Sequence, residues 1–223
     1  MRSSLPLPVA LTARLSPVVV LAAAGWALSS GPFATTPASE HKDAQKTGTQ
    51  SASAPATAAA SKAYTAAPAP CTSVAKKTIT SLVPGAKTAG REIPSTNSKL
   101  RRTCSWNALK GYDYRWLDVS YELMESDEAA RTSYKETVTE KSGGGEVPGV
   151  GDSGYSLVNL ATEDKQQTRE GMVMIRASNA LVTITYNGSD FETKKAPSTD
   201  EINKGAIKAA KEAVATLEDG QKN

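Results

Sequence analysis

Histidine is almost missing from this chain: its 223 residues include one, His41. Cysteine is nearly as scarce, with Cys71 and Cys104 the only two. A lone imidazole in an Ala-, Thr-, Ser- and Pro-rich segment and two thiols that read as a disulfide leave no zinc-ligand set. The same shortage bears on nucleophilic chemistry, because a serine hydroxyl attacks only with a positioned base beside it. Acidic residues are absent until Glu40, and the C-terminal two thirds lack net charge. From Cys71 onward, 21 Lys and Arg face 21 Asp and Glu. The formal charge of +3 therefore arises before Cys71, where Arg2, Arg14, Lys42, Lys46 and Lys62 outnumber Glu40 and Asp43. A neutral folded region has no broad electrostatic footprint for a phosphate backbone, which argues against a nucleic-acid partner.

What is present begins with an address. Arg2 and Arg14 lead into residues 18–28, VVVLAAAGWAL. A basic start followed by a short apolar run has the form of a secretory signal, with Ala27-Leu28-Ser29 offering small residues for cleavage. The uncharged stretch 15–34 is also 20 residues long, about the minimum for an uncleaved membrane anchor. Both readings of 1–34 stay open, and both put the remainder outside the cytoplasm. Residues 35–69 are dominated by Ala, Thr, Ser and Pro, too poor in bulky apolar surface to offset chain entropy, and read as a disordered linker. His41 lies in this segment.

Residues 70–219 read as a single extracytoplasmic domain. Val74, Thr78, Ile79, Leu82 and Val83 recur at helical spacing, closed by Pro84-Gly85. Residues 103–109 read as a strand, and so do 114–124, where Leu117, Val119, Tyr121 and Leu123 alternate with Asp118, Ser120 and Glu122. A short helix is expected over 127–140, then strands at 155–161, 169–176 and 180–186, the last two joined through Ser178-Asn179. Ser198 with Glu201 forms a capping-box pattern. It opens an amphipathic helix whose stripe is Ile202, Ala206, Ala209, Ala210, Ala213, Val214 and Leu217. The expected fold is α+β: an antiparallel sheet of about five or six strands flanked by an N-terminal and a C-terminal helix, the helices on one face. In an exported domain the two cysteines read as a Cys71–Cys104 disulfide, worth about 3–4 kcal/mol in the chain-entropy view.

The stretch VPGVGDSG, 147–154, holds two enzymatic spacings. G-x-G-x-x-G would cradle a dinucleotide only between a strand and a helix N-terminus. Here a glycine run precedes it and an extended pattern comes after it. G-D-S-G surrounds protease nucleophiles, but Ser153 has no histidine in the folded part. The segment reads as a loop in which glycines permit positive φ and Asp152 caps a turn. The paired carboxylates Glu122 and Glu125, or Asp127 and Glu128, and the basic run Lys99, Arg101 and Arg102, read as solvated surface. The most suggestive group is Tyr112, Tyr114 and Trp116, which alternation puts on one strand face with Asp113 and Arg115 opposite. Flat rings beside polar groups stack sugars or hold peptides, so these three are the candidate ligand face.

Pro70-Cys71-Thr72 opening a helix, Cys104-Ser105-Trp106 on the first strong strand, Val150-Gly151-Asp152-Ser153-Gly154 before a later strand, and the Ala-rich final helix resemble a recurrent pattern. It is similar to actinobacterial exported proteins grouped as domain of unknown function 3558, over about residues 70–217. The resemblance implies an envelope-associated domain with a Cys–Cys link and no established activity. Many members are lipoproteins. This chain departs from them, since no cysteine directly follows its apolar core and Cys71, preceded by Pro70, lies far downstream.

The expectation is therefore a non-catalytic cell-envelope domain, membrane-anchored or secreted, without cofactor or metal, that binds a wall component, small ligand or envelope protein. The membrane is a further partner if the N-terminal segment stays uncleaved. The alternatives are a carboxylate-based hydrolase of envelope glycans, which needs two acids across a cleft, and a structural wall spacer.

Overall fold

A computed structural model describes residues 62–220, all within the C-terminal of the two units into which the chain divides, Ser53–Asn223. The segment expected to be a signal or anchor, most of the expected linker and His41 lie outside the described residues. No helix among the described residues is long and apolar enough to cross a membrane.

Seven antiparallel strands form one sheet: β1 (Arg91–Ile93), β2 (Arg101–Lys110), β3 (Asp113–Leu123), β4 (Gly145–Glu146), β5 (Ser153–Glu163), β6 (Gln166–Ala177) and β7 (Ala180–Asp190). Their spatial order is β1-β2-β3-β7-β6-β5-β4. The chain thus builds one meander from β1 to β3, crosses over, builds a second from β4 to β7, and closes the two by pairing β7 with β3. Three helices accompany the sheet: α1 (Lys76–Leu82), α2 (Asp127–Glu140) and α3 (Thr199–Asp219). The architecture is α+β, with seven strands where five or six were expected. The two additional ones, β1 and β4, are three and two residues long, too short to show an alternation in sequence.

Alternation divides the faces. On β3, Leu117, Val119 and Tyr121 are fully buried and Leu123 nearly so, while Trp116 is exposed and Asp118, Ser120 and Glu122 lie half-buried between them. On β6 and β7, Val173, Ile175, Val182, Ile184 and Tyr186 point the same way as Leu117. Over them lies α3, with Ile202, Ala206, Ala209, Ala210 and Ala213 at zero exposure. Small residues let the helix axis sit close to the sheet. A Cβ on Gly171 would come within 2.5 Å of Ile202, and one on Gly205 within 2.7 Å of the Tyr186 ring. Ser198 caps α3 by accepting from Glu201 N at 3.1 Å. The reciprocal half of the capping box is replaced, because the Glu201 carboxylate accepts from Arg115 Nη2 at 2.9 Å instead.

The disulfide joins Cys71 to Cys104, Cα atoms 5.1 Å apart, tying the 3-10 turn Pro70–Thr72 to β2. The expected N-terminal helix is divided there: the 3-10 turn comes first, and α1 starts at Lys76 after Glu212 of α3 has accepted from Ala75 N and Thr78 Oγ1.

Two expectations are corrected. The helices do not share a face, for α2 packs on the opposite side against β6 and β7, where alternation puts the buried Met174 and Leu181. Nor does the packed region start at residue 70. Tyr64 and Ala67 are buried. Asn179 in the β6–β7 turn accepts from Tyr64 N at 2.7 Å and donates to Tyr64 O at 3.0 Å. Residues 64–69 belong to the domain because one aromatic ring in an Ala- and Pro-rich stretch finds an amide that satisfies both of its backbone groups.

Candidate ligand-binding face

The part of this second face that α2 leaves uncovered carries the sequence-selected aromatics, but not all three as expected. Gly111 and Tyr112 form the tight turn between β2 and β3, with Gly111 at φ +63°. Tyr112 is therefore a turn residue, 57% exposed, and not part of the strand face. Tyr114 and Trp116 do lie on that face, Trp116 39% exposed. The Trp116 indole donates through Nε1 to Asp118 Oδ1 at 2.7 Å and Ser105 Oγ at 2.9 Å, which holds its ring against the sheet.

Two apolar neighbours were missed by reading along the chain. Leu109 is the cross-strand partner of Tyr114 and is 58% exposed. Phe191 comes directly after β7; its N–H donates to Tyr112 O at 2.9 Å, and its ring centroid stands 6.1 Å from that of Tyr114. Neither is adjacent in sequence to the Tyr-Trp run, so only strand pairing reveals the cluster. Behind Phe191, Asp190 accepts from Thr193 N, Thr193 Oγ1 and Glu192 N, and these bonds hold its carboxyl below the usual range. On the other side of the sheet, Arg115 bridges Asp113 and Glu201. Burial outweighs that cation at Asp113 and lifts its carboxyl above the usual range.

The aromatic ridge borders a groove. Trp116 pairs in register with Asn187, and Asn187 with Glu170. Asn187 and Glu170, with Leu157, Asn159, Met172 and Thr185, line a cavity of about 280 Å³ that ends at Lys141, just past α2. Asn187 Oδ1 is shielded from solvent and accepts no hydrogen bond. A buried acceptor left unpaired costs about 1–3 kcal/mol.

The glycine loop behaves as a frame. Asp152 accepts from Ser178 N at 2.7 Å and pairs with Arg176 at 2.9 Å. A Cβ on Gly151, at φ +56°, would meet Arg176 O at 2.6 Å, and one on Gly154 would meet Val147 O at 2.5 Å. The glycines lead into β5 rather than into a helix, so no helix N-terminus faces a phosphate there. Ser73-Val74-Ala75-Lys76 also has the S-x-x-K spacing of serine–lysine enzymes. Ser73 is buried with its hydroxyl given to Pro70 O at 2.8 Å, and Lys76 is exposed, so the pair is not arranged for attack. Of the paired acids, Glu122 lies on the open face of β3, Asp127 accepts from Ser178 Oγ, and Glu128 pairs with Arg131.

No family model and no curated protein matches the chain. A crystal structure from Bacteroides thetaiotaomicron at 1.50 Å resolution shares 9% identity with it, covering 53% of this chain and 47% of its own, about half its length. Its TM-score is 0.29, a likeness that carries no argument.

Proposed function

We propose that this is a non-catalytic extracytoplasmic domain of the cell envelope that binds a wall component of carbohydrate character on its open sheet face. The observation that carries the reading is the Trp116 indole. It is exposed, fixed by two hydrogen bonds, and flanked by Tyr114, Leu109 and Phe191 beside a groove lined with amides and a carboxylate. Flat apolar surface next to directional polar groups suits the alternating faces and edges of a sugar. The extracytoplasmic placement draws support from the Cys71–Cys104 bridge, since disulfides persist in oxidising compartments. The resemblance to domain of unknown function 3558 agrees with it.

The test is a titration with soluble wall glycan fragments, following tryptophan fluorescence in wild type and Trp116→Phe. Trp106 is buried and serves as the internal reference. A saturable change in wild type that Trp116→Phe removes supports the reading. No change in either protein, with fragments up to solubility, removes it.

A further inference from the structure

The two edges of the sheet differ in a way that points to a second copy of this chain. The β2 edge is guarded: β1 covers residues 103–105, and Arg101, Arg102 and Lys110 stand along the strand. Charged residues, lysine above all, discourage edge-to-edge pairing. The β5 edge has no such guard. β4 pairs only with Tyr155 and Ser156, and Val147 N donates to Gly154 O. Beyond them, residues 157–163, LVNLATE, have no outer strand among the described residues, and they carry no charge until Glu163. There is no proline and no bulge, since pairing with β6 runs in unbroken register from Ser153 to Glu163.

The direction of the backbone groups fixes how such an edge pairs. Gly154 O points outward toward Val147. Successive residues alternate, so the N–H and C=O groups of Val158, Leu160 and Thr162 also point outward. An antiparallel partner matches them fully in one register. With a two-fold axis through Leu160, Val158 pairs with Thr162 of the second copy, Leu160 with Leu160, and Thr162 with Val158. That register makes six hydrogen bonds; a shift of two residues either way loses a pair. It also sets Glu163 of the second copy opposite Leu157, on the face where Lys141 shares the cavity lining with Leu157 and Asn159. Neither Lys141 nor Glu163 forms an ion pair among the described residues. The two-fold axis therefore creates two such pairs.

We propose that the chain forms a two-fold dimer by antiparallel pairing of its β5 edges, joining two seven-stranded sheets into one. The pairing uses the strand edge alone, and Glu163 of the second copy borders the open-face groove only at its Lys141 and Leu157 end. The interface is isologous, each copy giving the same strand, as closed two-fold assemblies require.

Sedimentation equilibrium of the full chain tests it. The wild type should show a monomer–dimer equilibrium, and Leu160→Pro should weaken association roughly tenfold or more, two donors being lost. The fold survives that change, because the Leu160 N–H faces away from β6 and proline is tolerated at such edge positions. Leu160→Cys should form a covalent dimer on mild oxidation, the two Cα atoms being about 5.5 Å apart in a hydrogen-bonded pair. Glu163→Cys should not, since its partner is Leu157. Glu163→Lys should weaken the dimer, and Lys141→Glu added to it should restore it. A monomer at every soluble concentration, or a dimer that Leu160→Pro leaves intact, overturns the proposal.

Discussion

On one face of the sheet, Leu117, Val173, Val182, Ile184 and Tyr186 meet the alanines of α3 with almost no exposed surface. On the other, Tyr114 and Trp116 leave the same strands and meet solvent, with α2 covering only the end near Met174 and Leu181. Large side chains are therefore present on both faces, and what differs is the cover. The buried face takes its bulk from the strands and its fit from small helical residues. The open face keeps bulk without a lid, at a site whose polar groups are partly unsatisfied. The first arrangement serves stability and the second leaves surface available for recognition.

The sharpest way to break this contrast is to truncate one side chain on each face of β3. Leu117→Ala should cost about 2–5 kcal/mol, whereas Trp116→Ala should cost no more than about 1 kcal/mol. Urea unfolding of both variants gives the comparison directly, and equal costs would mean that the open face is as structural as the covered one.

Next in size is the disulfide, which serves the covered face by holding the chain that leads into α1. Replacing Cys71 and Cys104 together with alanine should lower stability by about 3–4 kcal/mol, read from thermal melts without reductant.

A smaller effect sharpens the close approach of α3. Gly205→Ala adds a Cβ 2.7 Å from the Tyr186 ring and 2.9 Å from Leu82 Cδ2. Overpacking should outweigh the helix-propensity gain by about 1 kcal/mol. Gly143→Ala, where nothing lies within 4 Å, provides a contrast limited to its positive φ.

One further effect is confined to high pH. Burial pushes the Tyr186 phenol up to about 12 from 10.0, and its hydroxyl donates to Leu82 O at 2.7 Å. The unfolded chain loses this proton first, so the contribution is intact below pH 10 and disappears as pH rises from 10 to about 12. Tyr186→Phe should be less steep in stability over that window than wild type. Identical slopes would show that the phenol ionises as if exposed.

How much of the molecule is legible in its sequence varies with the range of the interaction. Asp127–Glu140 is marked by its pattern, and α3 by its capping serine and apolar stripe, because helices are decided by neighbours three and four residues apart. β3 shows itself by period-two alternation and β6 by the run Met172–Ile175, apolar on both faces. β1 and β4 do not, since two or three exposed residues carry no period. Tyr64 is hidden because the amide that accepts from and donates to its backbone, Asn179, lies 115 residues away. Tyr112 is misplaced by extending the alternation through a turn that Gly111 makes possible.

By itself, then, the sequence determined the sheet-and-helix composition, the pairing of its only two cysteines and the placing of Tyr114 and Trp116 on one strand face. Each of these rests on residue chemistry and short-range periodicity. Only the tertiary structure decided that Phe191 and Leu109 join them, that Asn187 Oδ1 lies unpaired beside them, and that the β5 edge stays bare. Those facts depend on which strands become neighbours and on which face a helix settles, and the burial of distant side chains settles both.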